Sequence, residues 1–246
     1  MSRTNDDTNL RFRLNPSLDP AHLAERFAES GRAHIPGFLE ESCAESFFQL
    51  LKNRGDWRLI VNQDEKTFDL DRAAQAAMTE PQRQALEQAV YAGARYGFQF
   101  RYEAIRVPDG EDERARMDDA LGSFASFLSS PDVVALMRQI TGKPGIDFAD
   151  AQATAYGPGH FLTAHDDEVE GKKRHAAYVF NLTPTWRVDW GGLLLFHGAD
   201  GHVERGFTPS FNALNLFAVP QPHSVSMIAP FAPYRRYSVT GWMRTR

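Results

Sequence analysis

The chain has 246 residues, a net charge of −5 and a hydrophobic fraction of 42%, with 18 phenylalanines. This composition excludes disorder over most of the chain, and the charge argues against a nucleic-acid surface covering the whole protein. Cys43 is the only cysteine, so no intramolecular disulfide can form, which fits a reducing compartment. The N-terminal sequence MSRTNDDTNLRFR lacks an apolar stretch, and no run approaches the ~18 apolar residues of a membrane span. We therefore expect a cytoplasmic protein with neither a signal peptide nor a membrane span.

The first part of the chain has mainly helical patterns. Residues 1–15 are polar and are predicted to be a flexible N-terminus. Residues 16–145 are predicted to be mainly helical, with one strand at 57–61, and to support the core as part of one compact unit. The aromatic run from Tyr96 to Tyr102 predicts core packing, with a wall beside a substrate as the alternative. The charged segment Pro108–Arg116 has no apolar anchor, so it predicts a solvated loop, with a mobile lid as the alternative.

The pattern changes over residues 146–246, where short strand-like segments alternate with Gly, Pro, Asp or Asn. The eight predicted strands are 146–156, 160–166, 175–183, 191–197, 201–207, 211–219, 223–228 and 235–243. Eight short strands at this spacing are typical of a jelly roll, or double-stranded β-helix. The sequence therefore predicts an α+β fold in which the N-terminal helices pack on one sheet of this core.

The segment Tyr156–Asp167 ends in an H-x-D pair, His165-Asp166-Asp167. On a strand, period-two geometry would place His165 and Asp167 on one face and Asp166 on the other. An imidazole beside a carboxylate supplies two of the three ligands of a facial metal triad. Such a pair is also expected by chance, so its significance depends on a third ligand.

The downstream candidates for a third ligand are His175, His197, His202 and His223. His223 begins the seventh predicted strand, which in an eight-stranded double Greek key can lie in the same sheet as the second strand. The other three border basic or turn segments and are more typical of the surface. His223 is favoured, although a lone histidine near an apolar strand is ordinarily structural.

The last predicted strand places Arg236, Ser238, Thr240 and Trp242 on one face by alternation. A guanidinium that points into a barrel needs an anionic partner, because burying it unpaired is costly. A planar fork beside a hydroxyl suits a carboxylate. The structural alternatives are a salt bridge to a protein acid or an Arg236 that faces solvent.

Taken together, the chain resembles the Fe(II)- and 2-oxoglutarate-dependent dioxygenases, most closely their prolyl 4-hydroxylase-like branch. The matching segments stand in the family's order and are Tyr156-Gly-Pro-Gly, His165-x-Asp167, Trp190-Gly-Gly-Leu193, Pro222-His223-x-Val225 and Arg236-Tyr-Ser-Val-Thr-Gly-Trp242. The resemblance implies that His165, Asp167 and His223 bind Fe(II).

The resemblance also implies a cosubstrate pocket. Arg236 would hold the distal carboxylate of 2-oxoglutarate with help from Ser238, and Tyr156 would line the same pocket. The loop Ala229–Pro233 is longer than is usual in the family. It leaves Arg235 as an alternative anchor, although alternation with Ser238 favours Arg236.

The implied reaction is hydroxylation, most simply of a prolyl residue in a protein or peptide, with release of succinate and CO₂. A free amino acid or another small molecule is the nearest alternative substrate. The resemblance implies Fe(II), 2-oxoglutarate as cosubstrate and O₂, and it leaves open a role for ascorbate as a reductant. More distant alternatives are a Zn-dependent hydrolase with Glu168 as base, and a jelly-roll binding module without catalysis. We expect no nucleic-acid or membrane partner, and the sequence leaves the oligomeric state undetermined.

Overall fold

The fold is described for residues 10–246 of a computed structural model, so residues 1–9 of the expected flexible N-terminus lie outside the described residues. Residues 10–15 are not a loose tail. Three of their apolar side chains, spaced two apart, pack against the main core: Leu10, Phe12 and Leu14. The predicted flexible segment is therefore wrong over residues 10–15, because this alternation gives even a short segment one apolar face.

The described residues form seven α-helices and thirteen strands. The helices are α1 (Pro20–Ser30), α2 (Glu41–Lys52), α3 (Arg72–Ala77), α4 (Glu80–Ala94), α5 (Glu111–Met117), α6 (Ala120–Leu128) and α7 (Pro131–Thr141). The strands are β1 (Arg32–Pro36), β2 (Arg58–Gln63), β3 (Lys66–Leu70), β4 (Phe100–Arg106), β5 (Phe148–Ala149), β6 (Gln152–Tyr156), β7 (Phe161–His165), β8 (Arg174–Asn181), β9 (Leu194–His197), β10 (Val203–Phe207), β11 (Ala213–Ala218), β12 (His223–Val225) and β13 (Arg236–Arg244). The strands from β5 onward follow the segments that the sequence predicted.

The strands form one curled antiparallel sheet. Its main order is β1-β11-β8-β13-β6-β4-β7-β12-β9-β10, while β2 and β3 extend from β4, and β5 pairs with β13. The two ends of this order meet through side chains. Arg32 of β1 lies 2.5 Å from Glu204 of β10, and the rings of His34 and Phe207 stack with centroids 5.4 Å apart. This curled sheet confirms the predicted α+β fold with a jelly-roll core.

The N-terminal portion contributes more strands than the sequence predicted. Four of them, β1 to β4, belong to the sheet. Strand β4 pairs with β2, β6 and β7, so it joins the first part of the chain to the second. These pairings link segments far apart in sequence, and the local patterns of residues 16–145 carry little information about them.

Alternation along β8 separates the two faces of the sheet. Ala176, Tyr178 and Phe180 belong to the main core with side chains of α1, α2, α6 and α7. Ala177 and Val179 belong to a different apolar cluster, together with side chains of β9 and β11. The helices thus pack on one face of the sheet, as predicted, and the other face is left to enclose a cavity.

The charged segment Pro108–Arg116 is anchored rather than loose, which corrects both the predicted loop and its alternative as a mobile lid. It contains most of α5, and Arg114 is only 3% exposed. The Arg114 guanidinium donates hydrogen bonds to the carbonyl oxygens of Pro108, Ala125 and Ala149. A buried arginine that serves three backbone acceptors therefore replaces the apolar anchor that the sequence lacks.

Within residues 10–246, no single helix is long and apolar enough to cross a membrane. Helices α6 and α7 meet the length and composition requirement only as a pair bent by 52°. Their apolar side chains belong to the main core of the molecule.

Candidate functional site

A cavity of about 370 Å³ lies on the face of the sheet opposite the helices. Side chains of β4, β6, β7, β8, β12 and β13 line it, together with the loop between β7 and β8. Its volume lies within the range of small-molecule sites. Of the cavities in the described residues, this one contains all the site residues that the sequence singled out.

Three potential metal ligands meet at one end of the cavity. His165 ends β7 and His223 begins β12, and the two residues are direct partners in the antiparallel pairing. Asp167 lies between them, with its carboxylate oxygens 3.4 Å from Nε2 of His165 and 3.5 Å from Nε2 of His223. The three ligand atoms lie within 4.8 Å of one another, and they are the one such cluster of His, Cys, Asp or Glu found in residues 10–246.

Asp167 reaches the cluster by a different route from the one that the sequence suggested. Strand β7 ends at His165, so strand alternation does not extend to Asp167. Instead Asp167 has a left-handed backbone with φ of 67°, which returns its side chain to the cavity. Asp166 is exposed, and its carboxylate accepts a hydrogen bond from the backbone N–H of Glu168. The expected distinction between the two aspartates therefore holds in their placement, although its physical cause is a turn.

In both histidines, one ring nitrogen forms a hydrogen bond with a backbone carbonyl oxygen. Nδ1–H of His165 donates to the carbonyl of Thr163 at 2.9 Å, and Nδ1–H of His223 donates to the carbonyl of Gln221 at 2.8 Å. This arrangement leaves the Nε2 lone pair of each ring directed towards Asp167. A hydrogen bond of this type fixes both tautomer and ring orientation in metal sites.

The electrostatics of the cluster favour the protonation states that bind a cation. Burial, followed by the neighbouring His165, lowers the pKa of His223 to about 4, so the ring is neutral near pH 7. Burial acts to raise the pKa of Asp167, but its interactions with His165 and His223 outweigh that effect and the net pKa is lowered. Two neutral imidazoles and one carboxylate on one side of a cavity fit the facial set that holds Fe(II) in oxygenases.

Arg236 lies in the same cavity with its charge uncompensated. The side chain is 2% exposed, and burial lowers its pKa to about 10, so it remains charged at neutral pH. Its Nη2 lies 3.4 Å from Oδ1 of Asn181, and its Nε and Nη1 have no hydrogen-bond partner within residues 10–246. A buried guanidinium in this state favours binding of an anion that residues 10–246 do not supply.

The neighbouring Arg235 is in a different situation. Its side chain is 40% exposed and forms an ion pair with Glu103 of β4, which is 4% exposed. The two candidate anchors are thus distinguished by their partners. Arg235 already has a carboxylate, whereas Arg236 has none among the described residues.

Ser238 shares the cavity with Arg236, as alternation predicted, and Tyr156 lies beside Arg236, as the resemblance implied. Ser238 is fully buried, and its hydroxyl forms a 2.9 Å hydrogen bond with that of Thr154. The Arg236 guanidinium lies over the ring of Tyr156, 5.3 Å from the centroid. Burial, and then the neighbouring Tyr102, raise the pKa of Tyr156 well above its ordinary value, so its phenol stays protonated and can donate a hydrogen bond.

Glycines make room for this pocket. Gly192, in the Trp190-Gly-Gly motif, has φ of +65°, and a Cβ there would lie 3.4 Å from Cδ of Arg236 and would clash with Ile228. A larger residue at position 192 is therefore disfavoured both by its backbone conformation and by the close approach of the Ile228 side chain.

Residues 151–244 match the family model described as the 2OG-Fe(II) oxygenase superfamily. Over these residues the chain is similar to that superfamily. The similarity to an Fe(II) oxygenase superfamily is consistent with the cluster of His165, Asp167 and His223, which fits Fe(II) by its donor types and protonation states. The segment that matches includes this cluster as well as Tyr156 and Arg236.

Two solved structures resemble the chain in fold. The chain is similar in fold to a prolyl-4-hydroxylase of Pseudomonas putida, with a TM-score of 0.58, 18% identity, and coverage of 93% of this chain and 100% of that one. The chain is also similar in fold to a prolyl hydroxylase of Trichoplax adhaerens, solved with a hypoxia inducible factor oxygen degradation domain peptide fragment. The TM-score is 0.58 at 19% identity, and the match covers 92% of this chain and 88% of that one. At such identities the likeness shows the fold alone.

In sequence, the chain is 32% identical over 150 residues to the prolyl 3-hydroxylase OGFOD1 of Mus musculus. The match covers 57% of this chain and 26% of that protein. A prolyl 3-hydroxylase OGFOD1 of Xenopus laevis is 34% identical over 100 residues, or 38% of this chain and 19% of that protein. The chain thus spans about a quarter or less of the length of these relatives.

An aromatic wall, formed by Phe98, Phe100 and Tyr102, borders the cavity beside the cluster of potential metal ligands. The rings follow one another with centroids 5.6 and 5.5 Å apart, and Phe98 lies 5.4 Å from the ring of His165. Phe98 is 49% exposed and Tyr96 is 90% exposed. The predicted core packing of this run is therefore wrong, and its alternative as a wall fits. The alternation F-x-F-x-Y was the signal available in the sequence.

The remaining histidine candidates lie away from the cluster. His175 contacts the Thr245 hydroxyl, His197 contacts the Ser224 hydroxyl, and His202 is exposed in a turn. Sequence analysis did not give Arg174 a role at this site. Arg174 lines the cavity and contacts the backbone of Asp167.

Proposed function

We propose that the chain is an Fe(II)/2-oxoglutarate-dependent hydroxylase that acts on a prolyl residue of a protein or peptide. The observation that carries the proposal is the pairing of two incomplete sites in one cavity. One is a His₂Asp cluster that suits Fe(II), and the other is the buried Arg236 without an anion. A cosubstrate that is a dianion and also chelates a metal supplies both missing partners.

In this proposal His165, Asp167 and His223 hold the iron, and their Nδ1 hydrogen bonds keep both rings in the ligating tautomer. Arg236 binds the distal carboxylate of 2-oxoglutarate, which matches its planar donor geometry. When bound, iron with 2-oxoglutarate and O₂ supplies oxidation of an unactivated C–H bond with release of succinate and CO₂. The chain's own task is to orient the cosubstrate and the target C–H and to exclude water.

The aromatic wall and the names of the relatives support a prolyl substrate. The side chains of Phe98 and Phe100 offer apolar faces next to His165, which suit a small apolar ring better than a charged side chain. The relatives named above include prolyl 3-hydroxylases and a prolyl-4-hydroxylase, so C3 and C4 of the proline ring are both candidates for hydroxylation. A cytoplasmic location is part of the proposal and is supported by the lone, buried Cys43.

The first test addresses the cofactors. Anaerobic titration with Fe(II) and 2-oxoglutarate is expected to produce a metal-to-ligand charge-transfer band. Absence of the band from intact protein would refute the hydroxylase. A Zn-dependent hydrolase with Glu168 as base predicts metal binding without any effect of 2-oxoglutarate, and a binding module predicts neither.

The second test addresses the substrate. Cell proteins are compared by mass spectrometry with and without the active enzyme, and the proposal expects proline residues that gain one oxygen atom. Chromatography of the hydrolysed product separates 3- from 4-hydroxyproline. Turnover of free amino acids, with no modified protein, would move the substrate to the small-molecule alternative.

A further inference from the structure

The loop between β7 and β8, residues 166–173, carries the carboxylate ligand of the proposed metal site. Asp167 is the only residue of this loop that is not exposed. Packing therefore gives the loop little support. Asp167 also has a left-handed backbone, which disfavours a non-glycine residue by roughly 1 kcal/mol. A conformation of this kind persists only when its surroundings hold it.

Arg174 makes the contact that holds it. This residue begins β8, seven positions after Asp167, and its Nη1 donates a hydrogen bond to the Asp167 carbonyl oxygen at 2.8 Å. The donor is charged, so the bond is stronger than one between neutral groups. The contact closes the loop back onto its own first turn.

The Arg174 guanidinium is itself fixed by an aromatic platform. Its central carbon lies 3.5 Å from the ring centroid of Trp242, which is a close cation–π arrangement. Trp242 is held in β13 opposite Ala177, and its backbone N–H donates to Oδ1 of Asp150 at 2.7 Å. The arginine therefore lies between a fixed indole and the backbone of Asp167.

Arg174 lacks the partners of a surface arginine. It forms no ion pair within residues 10–246, and its Nε is buried without a hydrogen-bond acceptor. Arg174 therefore does not stabilise the fold through a salt bridge. Its hydrogen bond instead fixes the position of the Asp167 carbonyl group.

We propose that Arg174 is a positioning residue that clamps the Asp167 backbone, so that its carboxylate faces Nε2 of both His165 and His223. Trp242 serves as the platform for the clamp. Arg174 acts through Asp167 and does not itself bind the metal. The inference rests on the metal site of the proposed function.

The test measures Co(II) affinity by calorimetry and by the visible absorption of the bound ion, without 2-oxoglutarate. Arg174→Met keeps much of the side-chain length and removes the donor, and we expect a roughly ten- to hundred-fold loss of affinity with a changed Co(II) spectrum. Arg174→Lys retains the charge and one donor and is expected to recover part of the loss. Lys172→Met is the matched control, because it removes one positive charge from the same exposed loop and should leave affinity unchanged.

Urea unfolding of the metal-free variants separates positioning from general stability. The proposal expects the Co(II) affinity to fall by more than the unfolding free energy accounts for. The proposal is overturned if Arg174→Met binds Co(II) with the affinity of the unaltered chain. It is also overturned if the loss of Co(II) affinity is matched by an equal loss of unfolding free energy, or if Lys172→Met loses as much Co(II) affinity as Arg174→Met. If the unaltered chain binds Co(II) but gives no 2-oxoglutarate band with Fe(II), the proposed hydroxylase fails while the clamp is still judged by these variants. If the unaltered chain binds no Co(II), both fail.

Discussion

Replacing the two adjacent arginines at the start of β13 should give opposite results. Burial lowers the pKa of Arg236 from 12.5 to about 10, which at about 1.4 kcal/mol per tenfold change means that the charged form is disfavoured by about 3 kcal/mol. Arg236→Met removes this charge and keeps an apolar chain of similar shape. We therefore expect the ligand-free variant to be more stable than the parent by about 1–3 kcal/mol, as when buried charges are replaced by apolar residues.

The same variant should lose its cosubstrate. Two charge-assisted hydrogen bonds to a carboxylate contribute about 3–4 kcal/mol together, so 2-oxoglutarate should bind roughly a hundred- to thousand-fold more weakly. Arg235→Met should do the reverse. It leaves the carboxylate of Glu103 buried without its partner, which should lower the unfolding free energy by about 1–3 kcal/mol and leave the affinity near that of the parent.

Two assays check these opposite effects of the two substitutions on stability and on 2-oxoglutarate affinity. Urea unfolding of metal- and cosubstrate-free protein measures stability, and anaerobic titration of the Fe(II)-loaded protein measures 2-oxoglutarate affinity. The reasoning is refuted if Arg236→Met binds 2-oxoglutarate normally. It is also refuted if Arg235→Met loses the cosubstrate while keeping its stability, which would move the anchor by one residue.

Three further predictions concern separate parts of the molecule. Asp167→Ala should abolish Fe(II) binding measured by anaerobic calorimetry, whereas Asp166→Ala, which alters an exposed side chain, should have a small effect; equal losses would contradict the placement of the two residues. Burial, followed by the charge of Arg101, lowers the pKa of His160 to about 4, while the unfolded chain takes up this proton near pH 6.5. His160 should therefore contribute up to about 3 kcal/mol to the stability that metal-free protein loses as pH falls from 6.5 to 4, in addition to the contribution of His223. His160→Asn cannot take up that proton, and urea unfolding should show a smaller loss over this range; an equal loss would exclude His160 as the source. Arg114→Met should lower the unfolding free energy by about 2–4 kcal/mol without changing 2-oxoglutarate affinity, whereas unchanged stability with an altered turnover rate would restore a lid role for its segment.

The sequence was most informative where a local pattern and a site coincide. The strands after residue 146 have short alternating segments bounded by turn residues, and β13 keeps this alternation through Arg236 and Ser238. Two strand ends, at His165 and His223, are direct partners, so a correct strand assignment was enough to bring the histidines together. These parts of the fold and site depend on periodicity and pairing order.

Other features depend on information that a local pattern does not contain. The Asp167 side chain points into the cavity because Asp167 itself has a left-handed backbone conformation. The sequence has no glycine at this position that would predict such a conformation. Arg114, which is buried, and Arg174, which is half-buried, lie in charged segments that resemble solvated surface, because exposure is decided by distant partners. Strand β4 was missed as a sheet member since its partners β2, β6 and β7 are remote in sequence.

The unfavourable features of the ligand-free protein converge on one cavity. Arg236 is buried without an anion, and Asp167 has a backbone conformation that aspartate rarely adopts. The imidazole of His223 is kept neutral by burial against a second imidazole. A cation would relieve the histidines and the carboxylate, and a dianionic chelator would relieve the arginine. The two ligands should therefore stabilise the fold together, each by RT ln(1 + [L]/Kd), and more than either does alone, because the chelator binds through the metal. A protein in which metal and 2-oxoglutarate raised the unfolding midpoint independently would not have the shared site described above.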